Sequence, residues 1–183
     1  MSNLNLLVIL GTGRAGRQSN KVADFVYQQI KQAGHITELI DVRNYGQSVT
    51  IPAWEDDDDR TKSWRDKIKQ ADAFVIVAPE YNHSFPGELK LFLDQAQKQF
   101  QYKPAAICGV SAGGFGGVRV ALTLLPVLNE LQVTLIRNNV YFSGVGNLFD
   151  ESGKIMDQSY VEKLKTMLDE LTWYANALKA ARE

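Results

Sequence analysis

Three stretches of this chain are apolar with almost no break: residues 4–10, 73–78 and 105–111. A strand with one wet face alternates apolar and polar residues, whereas a strand covered on both faces need not. These runs therefore read as inner strands of a parallel sheet. Parallel neighbours cannot be joined by a tight turn and require a crossover, usually a helix. The segments between the runs supply those crossovers. With Ser19 or Asn20 as an N-cap, apolar residues recur at Val22, Val26, Ile30 and Ala33, and Gly34 ends the helix. Further helices are expected over 60–71, 86–100, 118–131 and 157–181, and further strands over 36–42 and 133–141. The last helix carries Val161, Leu164, Leu168, Leu171, Ala175 and Leu178 on one stripe, which suits packing on a sheet. Five strands alternating with five helices predict an α/β fold: a doubly wound, five-stranded parallel sheet with helices on both faces, residues 1–183 forming one domain.

The chain has 183 residues, 45% of them hydrophobic, and a net charge of −1. That length allows a sizeable core. The near-zero charge supplies no global field for nucleic acid or an anionic membrane, so neither is an expected partner. No apolar run reaches the roughly 18 residues of a membrane span. The opening Met1-Ser2-Asn3-Leu4 has no basic region ahead of its apolar stretch, so no signal peptide is expected. The one cysteine, Cys108, lies inside an apolar run and reads as a small core residue, which fits a reducing, cytoplasmic setting.

In open sheets of this kind, ligands bind outside the carboxyl ends of the strands, where the strand order reverses. With the order 2-1-3-4-5, the loops after strands one, three and four would converge there. The loop after the third strand is Pro79-Glu80-Tyr81-Asn82-His83-Ser84-Phe85-Pro86-Gly87. Its aromatic, amide and prolines make a stiff, partly apolar surface suited to a planar ring with polar edges. The loop after the fourth strand, Ala112-Gly113-Gly114-Phe115-Gly116-Gly117, is rich in glycine, which lets backbone approach a flat ligand.

The first loop, Gly11-Thr12-Gly13-Arg14-Ala15-Gly16, matches G-x-G-x-x-G, and Asp41 follows near the end of the second strand. That is the dinucleotide pattern in outline. However, Arg17, Gln18, Ser19 and Asn20 intervene before the helical periodicity begins, so the loop is longer and richer in donors. Two arginines beside a helix N-terminus suit a terminal phosphate dianion, such as that of flavin mononucleotide (FMN). A bridging pyrophosphate and a simple capping turn remain as alternatives. The absence of G-K-[ST] excludes a Walker A loop.

Taken together, the blocks 11–20, 79–82 with 86–90, and 111–119 resemble the NADPH-dependent FMN reductase family, flavodoxin-like enzymes with quinone-, chromate- and azo-dye-reducing members. The ending, residues 149–153 before a last helix, is also similar. The resemblance implies FMN as cofactor and NAD(P)H as co-substrate, with ping-pong hydride transfer to a small-molecule acceptor such as a quinone, flavin, azo dye or metal oxyanion. It assigns the FMN phosphate to Thr12, Arg14, Ser19 and Asn20, with Arg17 and Gln18 as helpers. It assigns the isoalloxazine to Pro79, Glu80, Tyr81 and Asn82, largely through backbone, and its pyrimidine edge to Ser111, Gly113 and Gly114. No obligate acid–base side chain and no metal are expected; His83 is a candidate for shaping the acceptor pocket. A homodimer or homotetramer is implied, although Leu91, Phe92 and Leu93 after Lys90, and Gln95 after Asp94, depart from the family pattern in a helix that often lies at its dimer interface. A flavodoxin-type electron carrier without steady turnover is the alternative, but such carriers are usually strongly acidic. The acidic run 55–59 lacks the spacing of a calcium loop and reads as solvated. Trp54, Phe85, Phe115 and Tyr141 could border the flavin or pack in the core.

Overall fold

The structure, a computed structural model, describes residues 3–45, 50–55 and 58–182. Six strands form one parallel sheet: β1 (Leu6–Leu10), β2 (Leu39–Asp41), β3 (Ala73–Pro79), β4 (Pro104–Val110), β5 (Thr134–Leu135) and β6 (Val140–Phe142). The order is β2-β1-β3-β4-β5, with β6 also paired to β4. Five helices connect them: α1 (Ser19–Gln32), α2 (Asp59–Gln70), α3 (Gly87–Leu93), α4 (Val118–Glu130) and α5 (Ser159–Arg182). This is the flavodoxin-like arrangement.

The continuous apolar runs are explained by burial on both faces. Leu6, Val8 and Leu10 of β1, with Val75, Val77 and Cys108, pack under α1 and α5. Leu7 and Ile9, with Phe74, Ile76 and Ile107, pack under α2, α3 and α4. Successive residues point to opposite faces, so a strand with two covered faces must be apolar at every position. Cys108 is fully buried, with Sγ 3.9 Å from Met167 Sδ, and burial pushes its thiol pKa up.

Three elements differ from expectation. The predicted fifth strand is divided. Arg137 and Asn138 turn aside to donate their N–H groups to the Glu170 carboxylate at 3.3 and 2.8 Å. Asn139 Oδ1 then accepts the Ile107 N–H at 2.6 Å, where a ladder carbonyl would otherwise serve. The helix predicted over 86–100 stops at Leu93. Beyond it, the Gln95 carbonyl accepts a 2.7 Å bond from Arg65 Nε, and the Gln95 amide turns back to Leu91 O at 2.9 Å. Arg65 is 2% exposed and also donates to Glu55 O and Pro52 O, so one buried guanidinium pins two connections. Finally, β2 is shorter than predicted and passes into a 3₁₀ turn at Val42–Tyr45. Of the acidic run, Asp56 and Asp57 lie outside the described residues.

Asn139→Ala should lower stability by about 1–3 kcal/mol, because it strands the Ile107 N–H next to the core. Urea denaturation would read this as a shifted midpoint; an unchanged midpoint would mean that another group satisfies Ile107.

Candidate active site

The loops after β1, β3 and β4 meet at the carboxyl edge of the sheet, around a cavity of about 220 Å³ lined in part by Arg14, Ser19, Pro79, Tyr81, Ser111 and Val145. The first loop is braced by two carboxylates from outside itself. Glu88 Oε1 accepts from the Thr12 hydroxyl at 2.8 Å and from the Gly13 N–H at 2.9 Å. Burial alone would raise the Glu88 pKa, but the backbone N–H groups of Glu88 and Gly13 and the Thr12 hydroxyl hold it below its usual 4.5. Asp41 forms a two-pronged ion pair with Arg17 and accepts the Arg43 N–H at 3.0 Å. Here too burial opposes the charge, yet Arg17 and Arg43 outweigh it and hold Asp41 below its usual 3.8. Arg43 completes the brace, donating to Gly13 O at 3.0 Å and Arg14 O at 2.9 Å.

These contacts redistribute the roles expected in the loop. Thr12 is fully buried, with its hydroxyl committed to Glu88 and 3.1 Å from the Tyr81 hydroxyl, so it is a brace and offers the cavity no free donor. Arg17 spends its guanidinium on Asp41 and Thr12 O. Arg14 is different: its guanidinium lies 5.4 Å from the Tyr81 ring centroid with no carboxylate partner among the described residues. Asp41 is occupied by Arg17 and Arg43, so it is not presented to a ribose, and the dinucleotide reading loses its acidic residue. The N-cap of α1 is Gln18 rather than Ser19 or Asn20, and its side chain makes no capping bond. The first-turn N–H groups therefore face the cavity side without a side-chain cap.

The second loop is held by a feature that no glycine advertised. Tyr81 and Ser84 exchange backbone hydrogen bonds of 2.8 and 2.9 Å across a two-residue turn. Asn82 and His83 sit in it with φ of 49° and 64°. Paired positive φ values are the requirement of a type I′ turn. Both side chains are exposed. Glu80 points inward, accepts from Arg119 at 2.7 Å through Oε1, and leaves Oε2 buried without a partner.

The third loop folds by close backbone approach. A Cβ on Gly117 would stand 2.5 Å from Val110 N, and one on Gly116 would stand 2.7 Å from the Tyr141 backbone. Gly113 and Gly114 have nothing within 4 Å of such a position, so the space over them is open. Ser111 Oγ donates to Gly113 O at 2.8 Å and shapes that surface. Trp54 and Phe115 are exposed, 78% and 69% respectively, while Phe85 and Tyr141 are half-buried beside the α2–α4 core.

The polar atoms left over at this edge fit a phosphorylated flavin. Ser19 Oγ and Asn20 Oδ1 are buried without partners, as is Glu80 Oε2. An uncapped helix N-terminus, a free serine hydroxyl and Arg14 match a phosphate; open acceptors match ribityl hydroxyls; and the bare glycine surface leaves room for a flat ring. Glu88, Arg43 and Arg119 were not expected as site residues, and Asp41 was expected only as the acidic residue of a dinucleotide pattern. Their signal was weak: all bind main chain or other side chains across large sequence separations.

A model of the NADPH-dependent FMN reductase family matches residues 4–147. An NAD(P)H-dependent FMN reductase of Pseudomonas aeruginosa is 36% identical over 121 residues, 63% of this chain and 65% of that protein, so the chain matches just under two thirds of that relative's length. A quinone reductase of Pseudomonas putida is 29% identical over 163 residues, 85% of this chain and 86% of that one. The structure of a flavoenzyme NAD(P)H:(acceptor) oxidoreductase from Paracoccus denitrificans has the same fold, with a TM-score of 0.78 at 20% identity over 97% of this chain and 98% of that one. The fold and site define a flavodoxin-like flavoprotein. The chain belongs to the NADPH-dependent FMN reductase family and is an FMN-dependent NAD(P)H oxidoreductase.

The Asp41–Arg17 pair sets a pH dependence. Because the pKa of Asp41 is lowered on folding, its stabilisation is complete above the unfolded value and is lost as the pH falls below 3.8 through the folded value. Wild-type Tm should drop across that window. Asp41→Asn should be less stable at neutral pH and show a shallower acid limb; a variant tracking wild type at every pH would remove the pair from the loop's stability.

Proposed function

We propose that this chain reduces quinones and similar planar acceptors with electrons from NAD(P)H, in the cytoplasm, as a homodimer or homotetramer. The observation that carries this reading is the convergence of an uncapped helix N-terminus, an arginine with no carboxylate partner among the described residues and an open glycine surface at one edge. Names of relatives support it, among them a quinone reductase and an NAD(P)H-dependent FMN reductase. FMN held there would supply the redox chemistry that links NAD(P)H to the acceptor.

The chain's own contribution is binding, orientation and access. Arg14, Ser19, Gln18 and Asn20, with the first-turn N–H groups of α1, hold the phosphate, Arg14 being steered by its stacking on Tyr81. Asp41, Arg43 and Glu88 hold the loop in the shape that presents those donors, and Arg17 and Thr12 act through that brace. Pro79, Glu80, Tyr81 and Asn82 flank the ring, while Ser111, Gly113 and Gly114 bring backbone to its pyrimidine edge. The rigid Asn82–His83 turn sets the width of the mouth through which NAD(P)H and the acceptor pass in succession.

Absorbance of the purified protein, before and after anaerobic NADPH, tests the reading. A flavin band that bleaches and returns with a quinone is expected. A band untouched by NAD(P)H would point to an electron carrier instead, and no flavin even after incubation with FMN would overturn both. Arg14→Ala should weaken FMN binding by about 1.5–3 kcal/mol, the range of a charged hydrogen bond, as measured by flavin fluorescence titration. Wild-type affinity would remove Arg14 from the phosphate site. His83→Gly suits the positive φ and deletes the imidazole. If His83 shapes the acceptor pocket, KM for the quinone should change while KM for NAD(P)H holds; identical kinetics would leave His83 as a turn residue.

A further inference from the structure

Glu80 is the one carboxylate among the described residues that line the cavity at the carboxyl edge of the sheet. Main chain fixes its position. The Glu80 N–H donates to Val110 O at 2.9 Å, one step beyond the last β3–β4 register pair, Pro79 with Val110. The Glu80 side chain is 10% exposed, and its two oxygens differ in their surroundings. Oε1 accepts from Arg119 Nη1 at 2.7 Å, while Oε2 is buried with no hydrogen-bond partner. A buried carboxylate oxygen left unmet is costly and calls for a reason. A tie between two loops needs only one acceptor, which a glutamine amide also provides. A carboxylate adds a negative charge at the cavity wall, where it is screened less than in water.

Arg119 is held against that charge by backbone and by an aromatic ring. It stands in the first turn of α4, which starts after Gly117 at a φ of 80°. The start of the helix is pressed onto the end of β4: a Cβ on Gly109 would lie 2.6 Å from Gly117 O. α4 therefore has no room to slide, and Arg119 reaches Glu80 from a fixed base. Its guanidinium carbon also lies 4.9 Å from the centroid of the Phe115 ring, within cation–π range. The first turn of α4 carries no acidic residue to compete for the guanidinium.

We infer that the Glu80–Arg119 pair sets the reduction potential of the flavin: Glu80 puts negative charge in the cavity wall, and Arg119, acting through Glu80, offsets it. This role rests on residues 79–82 flanking the ring, as proposed above. Hydride uptake adds one negative charge to bound FMN. A nearby carboxylate opposes that charge, and a cation paired to the carboxylate relieves the opposition. Arg119 thus raises the potential without touching the reacting atoms, which eases acceptance of hydride from NAD(P)H and biases the site towards acceptors of higher potential.

Midpoint potentials of the FMN-loaded protein, measured by anaerobic titration against redox dyes of known potential, test this. Arg119→Gln bares the carboxylate and should disfavour reduction by about tenfold, a fall of about 30 mV for a two-electron couple. Glu80→Gln should raise the potential by a similar factor. Arg119→Lys keeps the cation and should stay closer to wild type than Arg119→Gln does. In the Glu80→Gln background, Arg119→Gln should keep under about half of its effect, because Arg119 acts through that carboxylate. A pair that merely ties the loops would leave every one of these potentials equal, and that result overturns the inference. An Arg119→Gln effect undiminished by Glu80→Gln also overturns it, since Arg119 would then act on the flavin directly. Protein that takes up no FMN removes the proposed function along with this role, whereas FMN-loaded variants at one unvarying potential remove this role alone.

Discussion

The burial of β1, β3 and β4 on both faces is the constraint from which the rest of the molecule follows. Every side chain along these strands is needed for core, so the strands have no polar positions to spare for chemistry. Polar function can appear only where the chain leaves the sheet. Because the strands are parallel, their carboxyl ends fall on one edge, and the order β2-β1-β3-β4-β5 places the exits of β1, β3 and β4 side by side. Site location is thus a product of packing before any catalytic residue is considered.

A loop at a sheet edge has no ladder to satisfy its backbone, and here carboxylates from neighbouring elements do that work. Glu88 takes the Thr12 hydroxyl and Gly13 N–H, Asp41 takes Arg17 and the Arg43 N–H, and Glu80 takes Arg119. The depressed pKa values of Glu88 and Asp41 express the same fact: donors surrounding a carboxylate favour its charged form even against burial. The consequence for binding is preorganisation. With the loop shape settled by internal ion pairs, Arg14 and the first turn of α1 are left to meet a phosphate without first being ordered by it.

The architecture was legible because its signal is local and repeated. An uninterrupted apolar run, a glycine-rich break and a helical stripe each announce themselves within about ten residues. The three loops were legible for the same reason, and the match of a family model over 144 residues agrees with them. The misread elements have non-local causes. The division of the last strand depends on Glu170, over thirty positions away from Asn138 in sequence. The early end of α3 depends on a guanidinium from α2. The left-handed turn at Asn82–His83 contains no glycine, so nothing in its composition distinguished it from an ordinary loop.

By itself the amino-acid sequence determined the parallel α/β sheet, the edge at which the site lies and the donor-rich character of its first loop. These depend on hydrophobic period and backbone freedom, properties each short segment carries alone. Only the tertiary structure decided which donors remain available. Thr12 and Arg17 look like ligands on paper and become braces because Glu88 and Asp41 arrive from elsewhere in the fold to take their hydrogen bonds. Arg14 keeps its charge open because no carboxylate among the described residues reaches it. A hydrogen-bonding group serves whichever partner lies within about 3 Å, and that distance is set by the packing of distant segments rather than by neighbours in the chain.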